Sequence, residues 1–159
     1  MSNIFSEQIC SKKISISPSE LNNNKDIDAL ICDKIKNSIG NRCINEGYVD
    51  KDTIKIIRRS IGKINAIHFN GNINYNVEYV ANICNPYKNM KINNCEVKNI
   101  NKMGIMAINK PLNIVIARQH HEDQEGFDEI KIGDKISIII IGLRYELNDK
   151  EITVVGKLV

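Results

Sequence analysis

The sequence predicts an α+β protein in which an N-terminal antiparallel sheet with one amphipathic helix is followed by an all-β barrel. Residues 73–83 alternate apolar and polar side chains, which is typical of a strand with one buried face. Residues 26–40 place isoleucine and leucine three and four positions apart, which is typical of an amphipathic helix. Beyond Pro86 only short strand patterns occur, and these favour a small barrel.

The chain should open with a strand and a helix. Ile14 and Ile16 alternate with serines, and this strand should end at Pro18, which has no N–H to donate to a sheet. The next helix should begin near Asp26, since acidic residues favour a helix N-terminus, and end at Gly40. Its apolar face would be formed by Ile27, Leu30, Ile31, Ile35 and Ile39.

A hairpin is expected in the centre of the N-terminal half. The Asn70-Gly71 pair is the strongest hairpin signal in the chain, and the alternating strand that follows it would be the second arm. The apolar positions of this strand are Ile73, Tyr75, Val77, Tyr79, Ala81 and Ile83. They should form one buried face, with asparagines on the other.

The C-terminal half shows five short strand patterns in roughly 70 residues, a number and spacing for which an OB fold is the commonest barrel. The patterns are CEVKNI, GIMAI, LNIVIA, DKISIIIIGL and EITVVGKLV. We therefore divide the chain into two domains, residues 1–86 and 87–159.

Composition excludes several classes of protein. The net charge of +3 is small, so a dedicated duplex-DNA binder is not expected. The five cysteines are odd in number, contain no CxxC pair and indicate a reducing compartment. No apolar run approaches the roughly 20 residues of a membrane span, and no signal peptide is recognisable, so we expect a soluble, intracellular protein.

No catalytic motif is present. The sequence lacks the GxxxxGK, GxSxG, GxGxxG and HExxH patterns, which argues against an enzyme and predicts no catalytic residue and no cofactor. The cluster His120, His121, Glu122 and Asp123 is not expected to bind a metal, because adjacent residues point in different directions. We expect it to be a solvated barrel loop.

The order of these elements resembles the larger stalk subunit of multisubunit DNA-dependent RNA polymerases, which is the seventh-subunit type of RNA polymerase II and its counterpart in the archaeal enzyme. The resemblance covers about residues 4–156. It rests on the stretch IGKINAIHFNGNINYNVEYVANICNP and on the barrel start CEVKNINKMGIMAI. Its most specific positions are Gly47-Tyr48-Val49, Gly62, Gly71, Tyr79-x-Ala81 and Pro86.

The resemblance implies a non-catalytic subunit of a DNA-directed RNA polymerase. The N-terminal half would be a tip domain that docks on core subunits near the clamp, and the OB domain would guide nascent single-stranded RNA during transcription. A second, smaller stalk subunit is a candidate partner. The docking residues would lie around the hairpin: Gly62, Ile64, Ile67, Phe69, Asn70 and Gly71.

RNA binding by the barrel should be weak. Met103 and Ile105 flank Gly104, where many RNA-binding OB domains of the ribosomal S-one type have aromatic residues that stack on bases. The candidate RNA contacts are Lys98, Lys102, Arg118, His120 and Arg144. The alternative function is a free-standing OB-fold RNA-binding protein of the translation-factor kind, but such a protein would not need the apolar residues near the hairpin end.

The 31 Ile, 22 Asn and 17 Lys residues indicate a genome rich in A and T. Together with the brevity of the chain, this favours a compact polymerase of a large DNA virus. The expected location is the nucleus, or the cytoplasm and virion if the protein is viral.

Overall fold

The structure is a computed structural model that describes residues 4–22, 26–121 and 126–159. The first sheet contains β1 (Phe5–Ile16), β2 (Cys43–Ile44), β3 (Gly47–Val49), β4 (Lys55–Arg59), β5 (Lys63–Ile64) and β6 (Ile73–Cys84). The helices are α1 (Pro18–Leu21) and α2 (Ile27–Ile39). The barrel strands are β7 (Lys91–Asn101), β8 (Gly104–Asn109), β9 (Leu112–Ala117), β10 (Lys135–Arg144) and β11 (Ile152–Leu158). The predicted fold class is confirmed.

The chain forms two compact units. The first comprises residues 7–41 and 49–83, and the second comprises residues 42–48 and 84–159 together with the N-terminal residues up to Ser6. Residues 42–48 therefore belong with the barrel, although they precede all of β6 in the sequence. The division into domains at residue 86 stays a prediction.

Helix α2 follows the predicted pattern. The Asp26 side chain accepts a hydrogen bond from the N–H of Asp28 at 3.4 Å, and the N–H of Gly40 donates to the Lys36 carbonyl at 3.0 Å. Ile31, Ile35 and Ile39 are buried at successive four-residue spacings. The predicted start and end are thus confirmed, and of the predicted apolar face Ile31, Ile35 and Ile39 are buried while Ile27 and Leu30 are half-buried.

Strand β1 ends one residue before a short helix that begins at Pro18. The predicted strand end is confirmed. Pro18 takes the first helical position, where a residue without an N–H loses no hydrogen bond. The N–H of Ser17 donates to the Glu20 carboxylate at 2.8 Å, and Lys34 lies 2.9 Å from the same carboxylate. These contacts, led by the Ser17 N–H, lower the pKa of Glu20 to about 2.

Strand β6 is the centre of the first sheet. The strand order is β1-β6-β3-β2, and β4 and β5 also pair with β6. Lys55 of β4 lies opposite Val80, and Lys63 of β5 lies opposite Asn74, both antiparallel. The predicted buried face is confirmed by burial at Tyr75, Val77, Tyr79, Ala81 and Ile83.

The barrel closes in the order β10-β11-β9-β8-β7. All neighbouring pairs are antiparallel except β9 and β11, which run parallel with Leu112 opposite Ile152. All five predicted strands are confirmed. Alternate residues fill the interior because β-branched side chains pack well on a pleated surface. Examples are Ile105, Ala107, Ile114, Ile116, Ile138, Ile140 and Val154.

Candidate functional site

The hairpin between β5 and β6 has a longer loop than the Asn70-Gly71 pair alone would form. The N–H of Asn65 donates to the Asn72 carbonyl at 2.9 Å and closes the hairpin. We call residues 65–72 the hairpin loop. It belongs to the first unit, and Asn70 and Gly71 lie at its end, directly before β6.

Large apolar side chains project from the hairpin loop and from the segment before it. Phe69 is 93% exposed and Ile67 is 81% exposed. Ile61 and Ile64, from the first arm, are 85% and 74% exposed. Four large exposed apolar side chains within nine residues of the sequence make this segment a candidate interaction surface.

The hairpin loop is held in shape by two asparagine side chains. Asn65 Oδ1 accepts from the N–H of Ile67 and Asn70 Oδ1 accepts from the N–H of Asn72, both at 3.1 Å. Phe69 adopts a left-handed backbone with φ of 46°, which costs a bulky L-residue about 1–2 kcal/mol. The loop therefore holds an aromatic side chain in solvent in a strained conformation, a feature found frequently at functional sites.

The two predicted docking glycines have separate structural reasons. A Cβ at Gly62 would lie 2.6 Å from Ile73 Cγ2 and 2.9 Å from the Tyr75 ring, so a larger residue would force one of these side chains to shift. Gly71 has a φ of +72°, and a Cβ there would approach Pro18 Cγ at 3.1 Å. Both glycines shape the hairpin, and their direct contact with a partner stays a prediction.

Most of the candidate RNA-contacting cations on the barrel are paired with neighbouring carboxylates. Lys98 pairs with Glu96, Arg118 with Asp128 and Arg144 with Glu146. The Lys98 ammonium lowers the pKa of the exposed Glu96 carboxyl. Lys102 and His120 are exposed.

The strand register separates these cations. Gly104 lies opposite Ala117 at one end of β8 and β9, and this end carries Lys102 and Arg118. Arg144 pairs with Thr153, next to the Ile152–Leu112 pair at the opposite end of β9. Lys102 and Arg118 therefore share a site, whereas Arg144 does not join it.

Lys102 and Arg118 line a cleft of about 540 Å³. Its other walls include Met103, His121, Phe127 and Asp128. The Arg118 guanidinium carbon lies 5.9 Å from the centroid of the Phe127 ring, which stacks on His121 with centroids 5.2 Å apart. Sequence reasoning missed Phe127 and expected His121 to be solvated, because no periodic pattern marks either residue as buried.

The expectation that the histidine cluster is simply solvated is wrong for His121. This side chain is 4% exposed and buried beside Phe127. Its Nδ1 lies 2.9 Å from the Ala117 carbonyl, and its Nε2 accepts from the N–H of Leu158 at 2.9 Å. Nδ1 must therefore carry the proton and donate to the Ala117 carbonyl. Through these two hydrogen bonds, His121 links β11 to the end of β9. Glu122 and Asp123, the acidic members of the cluster, lie outside the described residues.

Within the described ranges no group of three or more His, Cys, Asp or Glu side chains could hold a metal ion. Burial raises the pKa of Cys43 to about 11 and that of Cys84 to about 12, so both thiols stay protonated near neutral pH. In the part of the chain that the structure describes, no helix is long and apolar enough to cross a membrane.

Comparison with known proteins identifies the family. The chain is 30% identical to a protein of Acanthamoeba polyphaga mimivirus that is named as a DNA-directed RNA polymerase subunit, and the alignment covers 92% of this chain and 77% of that protein. The chain belongs to this family of DNA-directed RNA polymerase subunits. No family model matches the sequence. The exposed hairpin loop and the barrel cleft are thus surfaces of a polymerase subunit.

Proposed function

We propose that the protein is a non-catalytic stalk subunit of a DNA-directed RNA polymerase. The unit that carries the hairpin loop docks on the polymerase core near the clamp, and the barrel guides nascent RNA. The main support for this proposal is the exposed apolar hairpin loop, because a polymerase subunit needs a surface that binds other subunits.

The geometry of the loop supports docking. Phe69 and Ile67, on a loop fixed by side-chain hydrogen bonds, and Ile64, at the end of β5, are each more than two thirds exposed. Preorganised apolar anchors give affinity efficiently, because little conformational entropy is lost when they bind. We assign Phe69, Ile64 and Ile67 as anchors, with Gly62, Asn70 and Gly71 as the residues that shape the loop.

The barrel supports the second half of the proposal. Small barrels with this strand order bind oligonucleotides across their second and third strands, here β8 and β9. Because Lys98, Arg118 and Arg144 are already paired with carboxylates, phosphate groups must compete for them. The contact with RNA is accordingly weak.

We propose a large DNA virus as the setting, since the chain is similar to a mimivirus protein. The polymerase would then work in the cytoplasm or nucleus of an infected cell and could be packaged in the virion. A smaller stalk subunit would be a further partner.

Affinity capture tests the proposal. The full chain, tagged and expressed in its native source, should capture the two largest polymerase subunits. Phe69→Ala should reduce capture by about thirtyfold, the effect of losing ~2 kcal/mol from one interface anchor. The matched control is Ile132→Ala, because Ile132 is also exposed, at 66%, but lies on the barrel unit.

Two results would contradict the proposal. If the parent chain captures no polymerase subunit but binds RNA with nanomolar affinity, it is a free-standing RNA-binding protein. If Phe69→Ala and Ile132→Ala capture as much polymerase as the parent, the docking surface lies elsewhere.

A further inference from the structure

The cleft beside the β7–β8 turn has features of a base-binding site that phosphate contacts alone do not require. We propose that it holds a single unstacked RNA base, lying flat on the guanidinium of Arg118. This inference rests on the proposed contact between the barrel and RNA, and adds the chemical group that is recognised and the side chain that recognises it.

The Arg118 guanidinium is held in a fixed orientation. The Phe127 ring supports it at 5.9 Å, and Asp128 accepts a hydrogen bond from its Nη2. The backbone N–H of Arg118 donates to the Met103 carbonyl at 3.0 Å, which ties the residue to the β7–β8 turn. The side chain is still 49% exposed and lines the cleft, so it offers a planar surface to a ligand. Arginine planes of this kind stack on unpaired bases.

Met103 provides a second contact for a planar ring. It is 82% exposed and lines the same cleft. Its turn is rigid, because Asn101 Oδ1 accepts hydrogen bonds from the N–H groups of Met103 and Gly104, both at 3.0 Å. A polarisable thioether makes favourable contacts with aromatic rings. An arginine and a methionine thus take the place of the aromatic residues that many RNA-binding OB domains have.

The other residues that line the cleft indicate which class of ligand it binds. Phe127 and His121 are 7% and 4% exposed, so Phe127 supports Arg118, His121 stacks on Phe127, and neither ring is available to stack on the ligand. Lys102 is exposed, and no ion pair involves it within the described residues, so it can meet one backbone phosphate. A polyphosphate such as a free nucleoside triphosphate would need several unpaired cations. One base with one phosphate of a strand fits the charge of the cleft.

The test compares two RNAs in binding to the full chain. One is an oligoadenylate of about ten nucleotides, within the usual site size of an OB fold, and the other is an abasic ribose-phosphate strand of equal length. Fluorescence anisotropy at low salt should show about tenfold tighter binding of the oligoadenylate. Arg118→Lys keeps the positive charge but removes the planar guanidinium group, so most of the preference for oligoadenylate over the abasic strand should disappear.

Matched variants separate stacking from charge. Arg58→Lys should keep the preference for bases, because Arg58 is also an exposed arginine paired with a carboxylate, Glu78, but lies in the other unit. Lys102→Ala should weaken the binding of both RNAs equally. It should also reduce the slope of the logarithm of the binding constant against the logarithm of salt concentration by about one. Met103→Ala should reduce the preference without changing the melting temperature, since the side chain is exposed.

Three results would overturn the base site. The parent could bind the abasic strand as tightly as oligoadenylate, Arg118→Lys could keep the full preference, or Arg58→Lys could lose it equally. Polymerase capture by the parent chain is measured separately. Capture without base preference would leave the docking proposal intact, whereas absence of capture would remove the docking proposal and leave the base site to be judged by its own binding data.

Discussion

Replacing Tyr79 or Phe69 with alanine should separate the role of the hairpin in folding from its proposed role in docking. Tyr79 is 3% exposed and lies on the buried face of β6, whereas Phe69 is 93% exposed at the end of the hairpin loop. Loss of a buried aromatic side chain removes apolar burial and leaves a cavity. Tyr79→Ala should therefore lower the free energy of unfolding by ~3 kcal/mol, within the range for large-to-small aromatic changes.

Phe69→Ala should hardly change stability. The side chain buries almost no surface, and alanine has a similar penalty for the left-handed backbone at φ of 46°. Phe69→Gly is the informative companion, because glycine adopts this φ without the Cβ penalty. It should leave stability unchanged or raise it by ~0.5 kcal/mol, since relief of strain is partly offset by glycine's greater freedom in the unfolded chain.

Thermal melts followed by circular dichroism measure both effects. For a chain of this size, ~3 kcal/mol corresponds to a fall in Tm of roughly 6–12 °C for Tyr79→Ala. Phe69→Ala should stay within about 2 °C of the parent. If Phe69→Ala melts far earlier than the parent and Tyr79→Ala does not, the assignment of the two faces of the hairpin is wrong.

Three further predictions concern other parts of the chain. Because the pKa of Glu20 is lowered from 4.5 to about 2, its contribution to stability is fully present above pH 4.5 and lost as the pH falls through about 2. Glu20→Gln should therefore be less stable than the parent in urea at neutral pH, and the difference should shrink in this acidic window; a constant difference would contradict the assignment. His121→Ala leaves the Leu158 N–H without its acceptor and should cost about 1–3 kcal/mol in denaturant melts, whereas the exposed neighbour in His120→Ala should change nothing. The Cys84 thiol, with its pKa raised to about 12, should resist alkylation at pH 8 in the native protein and react after denaturation, which peptide mapping would detect.

Periodic patterns explain which features could be predicted from the sequence. The alternation in β6 and the three- and four-residue spacing in α2 are set by the geometry of strand and helix, so residues such as Val77 and Ile35 are buried as expected. The turn chemistry around Pro18 is similarly local. These features depend on neighbours in sequence and require no knowledge of distant contacts.

The barrel cleft could not be predicted in this way. Phe127 meets Arg118 and His121 through contacts that no periodic pattern marks, and neither the exposure of Arg118 nor the burial of His121 follows from neighbouring residues. Two adjacent histidines have opposite environments, since His120 is exposed and His121 is fixed between β9 and β11. Contacts between elements distant in sequence decide such cases.

The pairing of the barrel cations bears on how a stalk subunit of this kind would handle RNA. Each phosphate that binds Arg118 or Arg144 must displace a carboxylate, Asp128 or Glu146, so the gain in electrostatic free energy is small. Few counterions are then released, and the affinity should depend only weakly on salt. Weak binding would suit the proposed role of the barrel in guiding RNA, because a tightly held strand would oppose elongation. In the proposed function, affinity for the polymerase comes from the apolar hairpin loop, while the barrel supplies a series of brief contacts with RNA.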